Sequence, residues 1–251
     1  MATRPPLVLL HGVTNSARIW SEVVPRLQDD YELIVPTSTG HRGGTAKRDD
    51  LTIAKLVDEA EEVLDRHGVQ AAHLAGNSMG GWIAIELARR GRALTVCAFS
   101  PAGCWTPGAH DETHATETIR KARTLARLAS PVAPLALHSG WLRRHSLRAA
   151  AVRGDRLTPS QALEIARDLV ACTAAPDLLG TVESLAPLDP PPCPITLAWA
   201  AEDRIFPPSV NGVRAREIVP GATYVELGDV GHVPMIDNPD LCSEIIRRCA
   251  R

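Results

Sequence analysis

The chain has 251 residues, 45% of them hydrophobic and 22% charged, which is the balance of an ordinary globular protein and excludes a disordered or fibrous one. Its formal net charge of -2 and pI near 6.5 lack the basic excess that nucleic acid or an anionic lipid surface would favour, so neither is an expected partner. The length suits one α/β core, with room for an inserted subdomain.

In chain order, the opening Met-Ala-Thr-Arg-Pro-Pro runs directly into an apolar strand. It has neither the apolar stretch of about 7 to 15 residues nor the small-residue cleavage site of a secretory leader, which predicts a cytoplasmic protein. No run approaches the roughly 20 apolar residues of a membrane helix. Residues 7–10 form that first strand, residues 16–27 carry apolar side chains at helical spacing, and 33–35 reads as a second strand stopped by Pro36. Thr52 can cap a helix that runs to about His67 and ends at Gly68. A third strand at 72–75, a well-buried helix at 80–90 and a fourth strand at 94–99 follow.

Residues 105–187 break this alternation. They hold no convincing strand, and they show helical patterns at 116–129 and 160–171. The expected organisation is therefore a core of residues 1–104 and 188–251 with a helical insertion, or cap, at 105–187. Pro187, Pro190, Pro191, Pro192 and Pro194 make a stiff return to the core. Strands at 195–200 and 223–227, a helix at 210–218 and a final helix at 243–248 complete the pattern. Strands alternating with helices at this spacing predict a mostly parallel α/β sheet of about six strands, covered by helices on both faces.

Gly76-Asn77-Ser78-Met79-Gly80 is a G-x-S-x-G sequence between a strand and a helix. A strand that turns sharply into a helix forces its serine into a strained backbone, and the neighbouring positions must be small so that backbone can approach backbone. Gly76, Gly80 and Gly81 supply that room, and Ser78 becomes the candidate nucleophile at a helix N-terminus, where N–H groups favour negative charge. His232 follows the last strand and Asp203 the one before, so both emerge at the carboxyl edge of a parallel sheet in the chain order serine, aspartate, histidine. Among nine histidines only His232 has that position; Glu202 and Asp229 are the competing acids. His11-Gly12-Val13 after the first strand stands where one oxyanion-hole amide is needed, with the other from Met79.

His11-Gly12, Gly40-His41-Arg42-Gly43, Gly76-Asn77-Ser78-Met79-Gly80-Gly81, Asp203 and Gly231-His232 with Pro234 together resemble the α/β-hydrolase superfamily across nearly the whole core. The resemblance implies a triad of Ser78, His232 and Asp203, oxyanion amides from Val13 and Met79, and a helical cap over the site. The amino-terminal hairpin of many members is missing. A serine at position 78 also departs from the branches similar to epoxide hydrolases and haloalkane dehalogenases, which place an aspartate there.

The implied chemistry is acyl transfer to Ser78 from a carboxylic ester or related small organic substrate. One alternative is hydrolysis of a carbon–carbon bond in a dienoic diketone, since Asn77-Ser78-Met79-Gly80-Gly81 resembles the turn of ring-fission product hydrolases, although Val233 stands where those carry an aromatic residue. Another is a small-ligand receptor on the same fold. The six cysteines show no zinc or dithiol spacing and none has flanking glycines fit for a nucleophile turn, so they read as buried apolar residues, and neither a metal nor a cofactor is expected. Within the insertion, Trp105, Leu125, Leu128, Leu135, Leu137, Trp141 and Leu142 read as cap core, while Arg143, Arg144, Arg148 and Arg153 read as a solvated face.

Overall fold

The structure is a computed structural model that describes residues 4–106 and 110–251. Residues 1–3, on which the leader reading partly rests, and 107–109 of the expected insertion lie outside the described residues. Six strands, β1 (Pro6–Leu10), β2 (Glu32–Ile34), β3 (Ala72–Asn77), β4 (Ala93–Phe99), β5 (Ile195–Ala200) and β6 (Thr223–Leu227), form one sheet in the order β2-β1-β3-β4-β5-β6. Every neighbouring pair is parallel, with Leu10 opposite Gly76 and Ala200 opposite Leu227. All carboxyl ends therefore share one edge, and the loops after β1, β3, β5 and β6 meet there.

Parallel strands need crossovers, and the helices that supply them bury both faces of the sheet. Among the described residues five helices are longer than ten residues: α1 (Ile53–Arg66), α2 (Met79–Arg89), α3 (His110–Ala129), α4 (Pro159–Ala171) and α5 (Pro239–Cys249), which closes the chain. Thr52 caps α1 by accepting the Lys55 amide, and Ile53, Leu56, Val57, Ala60, Val63 and Leu64 make its buried stripe. One apolar layer packs α1 and α2 against Val8, Leu74, Val96 and Leu197; the other packs α5 and the Trp20 segment against Leu7, Leu9, Cys97 and Ala198. The alternation of strand side chains between these two layers is the pleat itself.

The expected helix at 16–27 is divided into a 3-10 turn (Ala17–Trp20) and a short α-turn (Val24–Leu27). Pro25 cannot donate to the carbonyl four residues back, so the chain restarts with it in the first turn of the new helix, where no such bond is needed. The helix expected at 210–218 begins as a π-turn (Pro208–Gly212) before Val213–Ile218. Between β4 and β5, α3, α4 and four shorter helical segments hold the chain, with no strand among the described residues.

Those helices are tied to the core by polar contacts. The Val233 amide donates to Ala150 O (2.8 Å), Leu185 to Gly103 O (2.9 Å) and Thr173 to Gly40 O (2.8 Å). Thr158 and Gln161 form a reciprocal cap on α4, with Pro159 at its first position. Two of the apolar side chains read as cap core are buried, Trp105 and Leu137. Leu125, Leu128, Leu135 and Trp141 are not: they are 65%, 73%, 81% and 70% exposed, which corrects the reading from spacing. Helical spacing identifies a face of a helix, but not whether a neighbour covers it.

Candidate active site

Ser78 sits between the end of β3 and the first turn of α2 with φ 55° and ψ -117°. That left-handed backbone is strained for a residue with a Cβ, and it persists because the surroundings fix it. A Cβ on Gly76 would lie 2.2 Å from the Gly80 carbonyl oxygen, and one on Gly80 would lie 2.2 Å from Leu10 O. The turn closes only with hydrogen at both positions. Further bonds brace it: Ser78 N donates to Phe99 O (2.9 Å), while Ser78 O accepts from Trp82 N (3.1 Å) and Ala102 N (3.0 Å).

Asp203 follows β5 and is 5% exposed. Its Oδ1 accepts the amides of Ile205 (2.9 Å) and Phe206 (2.7 Å), and its Oδ2 faces His232 Nδ1 at 2.7 Å. Three donors on one carboxylate fix its orientation. The Phe206 ring meets the His232 imidazole edge-on, with centroids 5.1 Å apart. Nδ1 therefore carries the hydrogen toward Asp203, and Nε2 is left as the acceptor nitrogen. Glu202 and Asp229, the competing acids, are both exposed.

Ser78 and His232 line one cavity of about 90 Å³ together with Gly12, Val13, Thr14 and Asn77. The remaining wall is mostly apolar, with Ile119 and Ala122 from α3, Leu147, Ala149 and Ala150, Ile165 and Leu169 from α4, and Ile205, Val233 and Ile236 from the core, and Asn15, Thr118 and Ser146 add uncharged polar groups. No charged side chain other than the candidate histidine, if protonated, faces it among the described residues. Arg143, the first of the arginines read as a solvated face, donates instead to the carbonyls of Leu137, His138 and Asp155.

The Met79 amide lies in the first turn of α2, where no earlier helix carbonyl can accept it. Val13 follows β1 in a tight turn closed by Asn15 N to Gly12 O (3.1 Å), with Thr14 at φ 66°. A Cβ on Gly12 would come within 3.2 Å of Ser78 Cβ, so the two loops touch. His11 holds this turn from behind. Its Nδ1 donates to Gly12 O (2.8 Å) and its Nε2 accepts the Ser38 amide (3.0 Å), which fixes a neutral ring. Burial pushes its pKa down to about 3, helped by His41 nearby.

Three polar residues of this region escaped the sequence reading. Asn77 donates from Nδ2 to His232 O (2.8 Å) and Phe99 O (3.2 Å), joining the serine turn to the histidine loop. Asp237, 2% exposed, accepts the amides of Gly231 (2.7 Å), Val152 (3.0 Å) and Arg153 (2.6 Å), so one carboxylate holds the histidine loop against the insertion. Asp168 of α4, 3% exposed, accepts Ser16 Oγ (2.5 Å) and Arg42 Nε (2.5 Å), and Arg42 also pairs with Glu164 (2.5 Å). Each is a local contact between distant segments, and no spacing rule announces it.

Four cysteines are buried and all six are free. Burial pushes the Cys104 thiol up to about 12 and raises Cys97 and Cys242 as well, so these are inert apolar fillers. Among the described residues no group of three His, Cys, Asp or Glu side chains could hold a metal ion. No helix there is long and apolar enough to cross a membrane.

The model of the alpha/beta hydrolase family matches residues 7–245, and the chain belongs to that family. Epoxide hydrolase EphH of Mycobacterium tuberculosis is 30% identical over 78% of this chain and 94% of its own length. A pimeloyl-[acyl-carrier protein] methyl ester esterase of Aromatoleum aromaticum is 28% identical over 99% of both chains. Among solved structures, a thermophilic esterase from Thermogutta terrifontis superposes with a TM-score of 0.74 at 23% identity, over 99% of this chain and 90% of that one.

Proposed function

We propose that the protein is a serine hydrolase that cleaves a carboxylic ester, or a closely related acyl bond, of a small uncharged organic substrate. The observation that carries this reading is the 2.7 Å contact between Asp203 and His232, with Ser78 in a strained turn on the same cavity wall. In this reading His232 Nε2 takes the Ser78 proton, Ser78 Oγ attacks the carbonyl carbon, and the developing oxyanion is held by the amides of Val13 and Met79. The proton on Nε2 passes to the leaving alcohol. Water, deprotonated by the same nitrogen, then releases the acid and restores Ser78. Asp203 keeps Nδ1 protonated and stabilises the imidazolium that forms between these steps.

We assign residues 105–187 the role of a cap, because Ile119, Leu147, Ile165 and Leu169 supply the apolar wall opposite the serine. The small volume supports short acyl groups, and the uncharged wall disfavours a free carboxylate on the substrate. Neither step needs a cofactor or a metal.

The likeness to an epoxide hydrolase gives a second reading, and chemistry decides against it. A carboxylate nucleophile that opens an epoxide leaves an ester, which water can cleave. A serine alkoxide would leave an ether, which the same machinery cannot hydrolyse. A panel of p-nitrophenyl esters from acetate to decanoate tests the proposal: turnover is expected to be highest for the short acyl groups and to be abolished by a fluorophosphonate that labels Ser78. Hydration of styrene oxide without ester turnover would overturn it, and turnover of a coloured dienoate alone would favour carbon–carbon bond cleavage.

A further inference from the structure

Residues 118–154 contain eight of the chain's 27 basic residues and none of its 29 acidic ones. The whole-chain charge of -2 hides this segregation. Several arginines on the core surface have carboxylate partners: Arg26 pairs with Asp240, Arg90 with Asp58 and Glu61, Arg92 with Asp65, and Arg247 with Asp30, whereas the exposed Arg48, Arg204, Arg216 and Arg251 form no such pair among the described residues but are scattered along the chain. In the basic segment, among the described residues, only Lys121 has one, Glu117. Arg127, Arg144, Arg148 and Arg153 are exposed, and none forms an ion pair with a carboxylate among the described residues.

The same segment holds most of the exposed large apolar side chains. Leu125 is 65% exposed, Leu128 73%, Val132 58%, Leu135 81% and Trp141 70%. Leu125 and Leu128 lie three residues apart on α3, Val132 is in the turn that ends it, and Leu135 is on the short helix Ala133–Ala136 that follows, so the exposed side chains continue from one helix to the next. Ile119 and Ala122 of α3, with Leu147 and Ala149, line the cavity. The segment thus has residues that line the cavity with Ser78 and a solvent-exposed side that carries both apolar and cationic side chains.

We propose that this exposed side docks the protein on an anionic lipid surface. A protruding row of leucine, valine and tryptophan interleaved with unpaired arginine matches an occupant that offers hydrocarbon and phosphate at one boundary. Water satisfies the arginines but leaves the apolar row exposed, and a neutral apolar partner would leave the cations unpaired. An anionic bilayer answers both, with the apolar side chains at the acyl boundary and the guanidinium groups among the phosphates. The docked orientation turns the cap toward the lipid, so an uncharged ester dissolved there lies one helix away from the cavity.

The test is sedimentation of the full chain with vesicles of phosphatidylcholine alone or with about 30% phosphatidylglycerol, at low and high salt. Binding is expected to the anionic vesicles only and to weaken at high salt. Each basic residue near such a surface contributes about fivefold to partitioning, so Arg144→Ala/Arg148→Ala is expected to bind about 25-fold more weakly. Leu128→Ser/Leu135→Ser is expected to weaken binding at any salt. Arg247→Ala/Arg248→Ala, an equal charge loss on the core, is expected to bind like the parent. All these side chains are solvent-facing, and unchanged thermal unfolding establishes that each variant is folded. Equal binding to neutral and anionic vesicles, or no binding to either, overturns the proposal. So does a concentration-dependent dimer lost in Leu128→Ser/Leu135→Ser, which assigns the face to a second copy of the chain. The readout is partitioning and not turnover, so the outcome is separate from that of the esterase reading.

Discussion

The Asn77 carboxamide donates to the carbonyl oxygen of His232 across 2.8 Å, so the residue before the candidate nucleophile holds the loop that carries the candidate base. Both groups are buried, and the same Nδ2 also reaches Phe99 O at the end of β4. The serine turn, the histidine loop and the strand between them are joined by one side chain.

Asn77→Ala removes both donors and leaves two buried carbonyls with one partner fewer, at a cost of about 1 to 3 kcal/mol in stability. Ester turnover is expected to fall mainly in kcat, by about tenfold or more, because a small displacement of His232 misaligns proton transfer. Steady-state kinetics with denaturant unfolding checks both parts. Asn77→Asp is expected to be worse than Asn77→Ala, since it aims a carboxylate at the His232 carbonyl.

Ser78→Ala is expected to lower ester turnover by at least about a thousandfold with little loss of stability, because the hydroxyl makes no bond that supports the fold. Gly76→Ala is the opposite case. Its added methyl would lie 2.2 Å from Gly80 O, so the turn must open, and loss of fold and activity together is expected in thermal unfolding and esterase assays.

The order of strands and helices was legible in the sequence because short apolar runs and 3.6-residue stripes are local signals, and so was the placement of the candidate residues Ser78, Asp203 and His232 after strand ends. Asp237, Asp168 and the Asn77 bridge were not. Asp237 binds amides of residues 152, 153 and 231, and Asp168 meets Arg42 across 126 positions, so their meaning exists only after folding. The exposed row from Leu125 to Trp141 failed for the opposite reason. Its spacing looks continuous in the sequence, but the row is divided over three helical segments, and the partner that such a pattern usually implies is absent from the described residues. Net charge is an average, and over 251 residues it does not reveal that residues 118–154 carry eight basic side chains and no acidic one.

The Arg42 and Asp168 pair clamps α4 to the loop after β2, and Ser16 adds a second donor from the segment after β1. Asp168 is almost fully buried, whereas Arg42 retains some contact with solvent. Arg42→Ala removes the nearer of two arginines from a buried carboxylate, leaving it Arg18 at 3.5 Å and Ser16, and is expected to destabilise the protein by about 1 to 3 kcal/mol, read by denaturant unfolding. Asp168→Asn keeps an acceptor for Ser16 and removes the buried charge, so a smaller loss is expected. Because Ile165 and Leu169 of α4 line the cavity, Arg42→Ala is also expected to raise KM for short esters.

Acid sensitivity follows from His11. Its pKa is near 3 in the folded protein, against about 6.5 in an unfolded chain. Between those values the unfolded state binds the proton that the folded state refuses, so stability rises with pH across that window and falls as the solution is acidified. The contribution is complete above pH 6.5 and is lost progressively toward pH 3. The cost over the whole window is on the order of 4 kcal/mol. Burial lowers the pKa of His41 too, which adds to the slope in the same direction. His11→Gln is expected to be less stable than the parent at pH 7.5, because the bonds to Gly12 and Ser38 are disturbed, yet to lose less stability between pH 6.5 and 4.5. Denaturant unfolding at a series of pH values measures the two slopes. Parallel curves for parent and variant would remove His11 as the source.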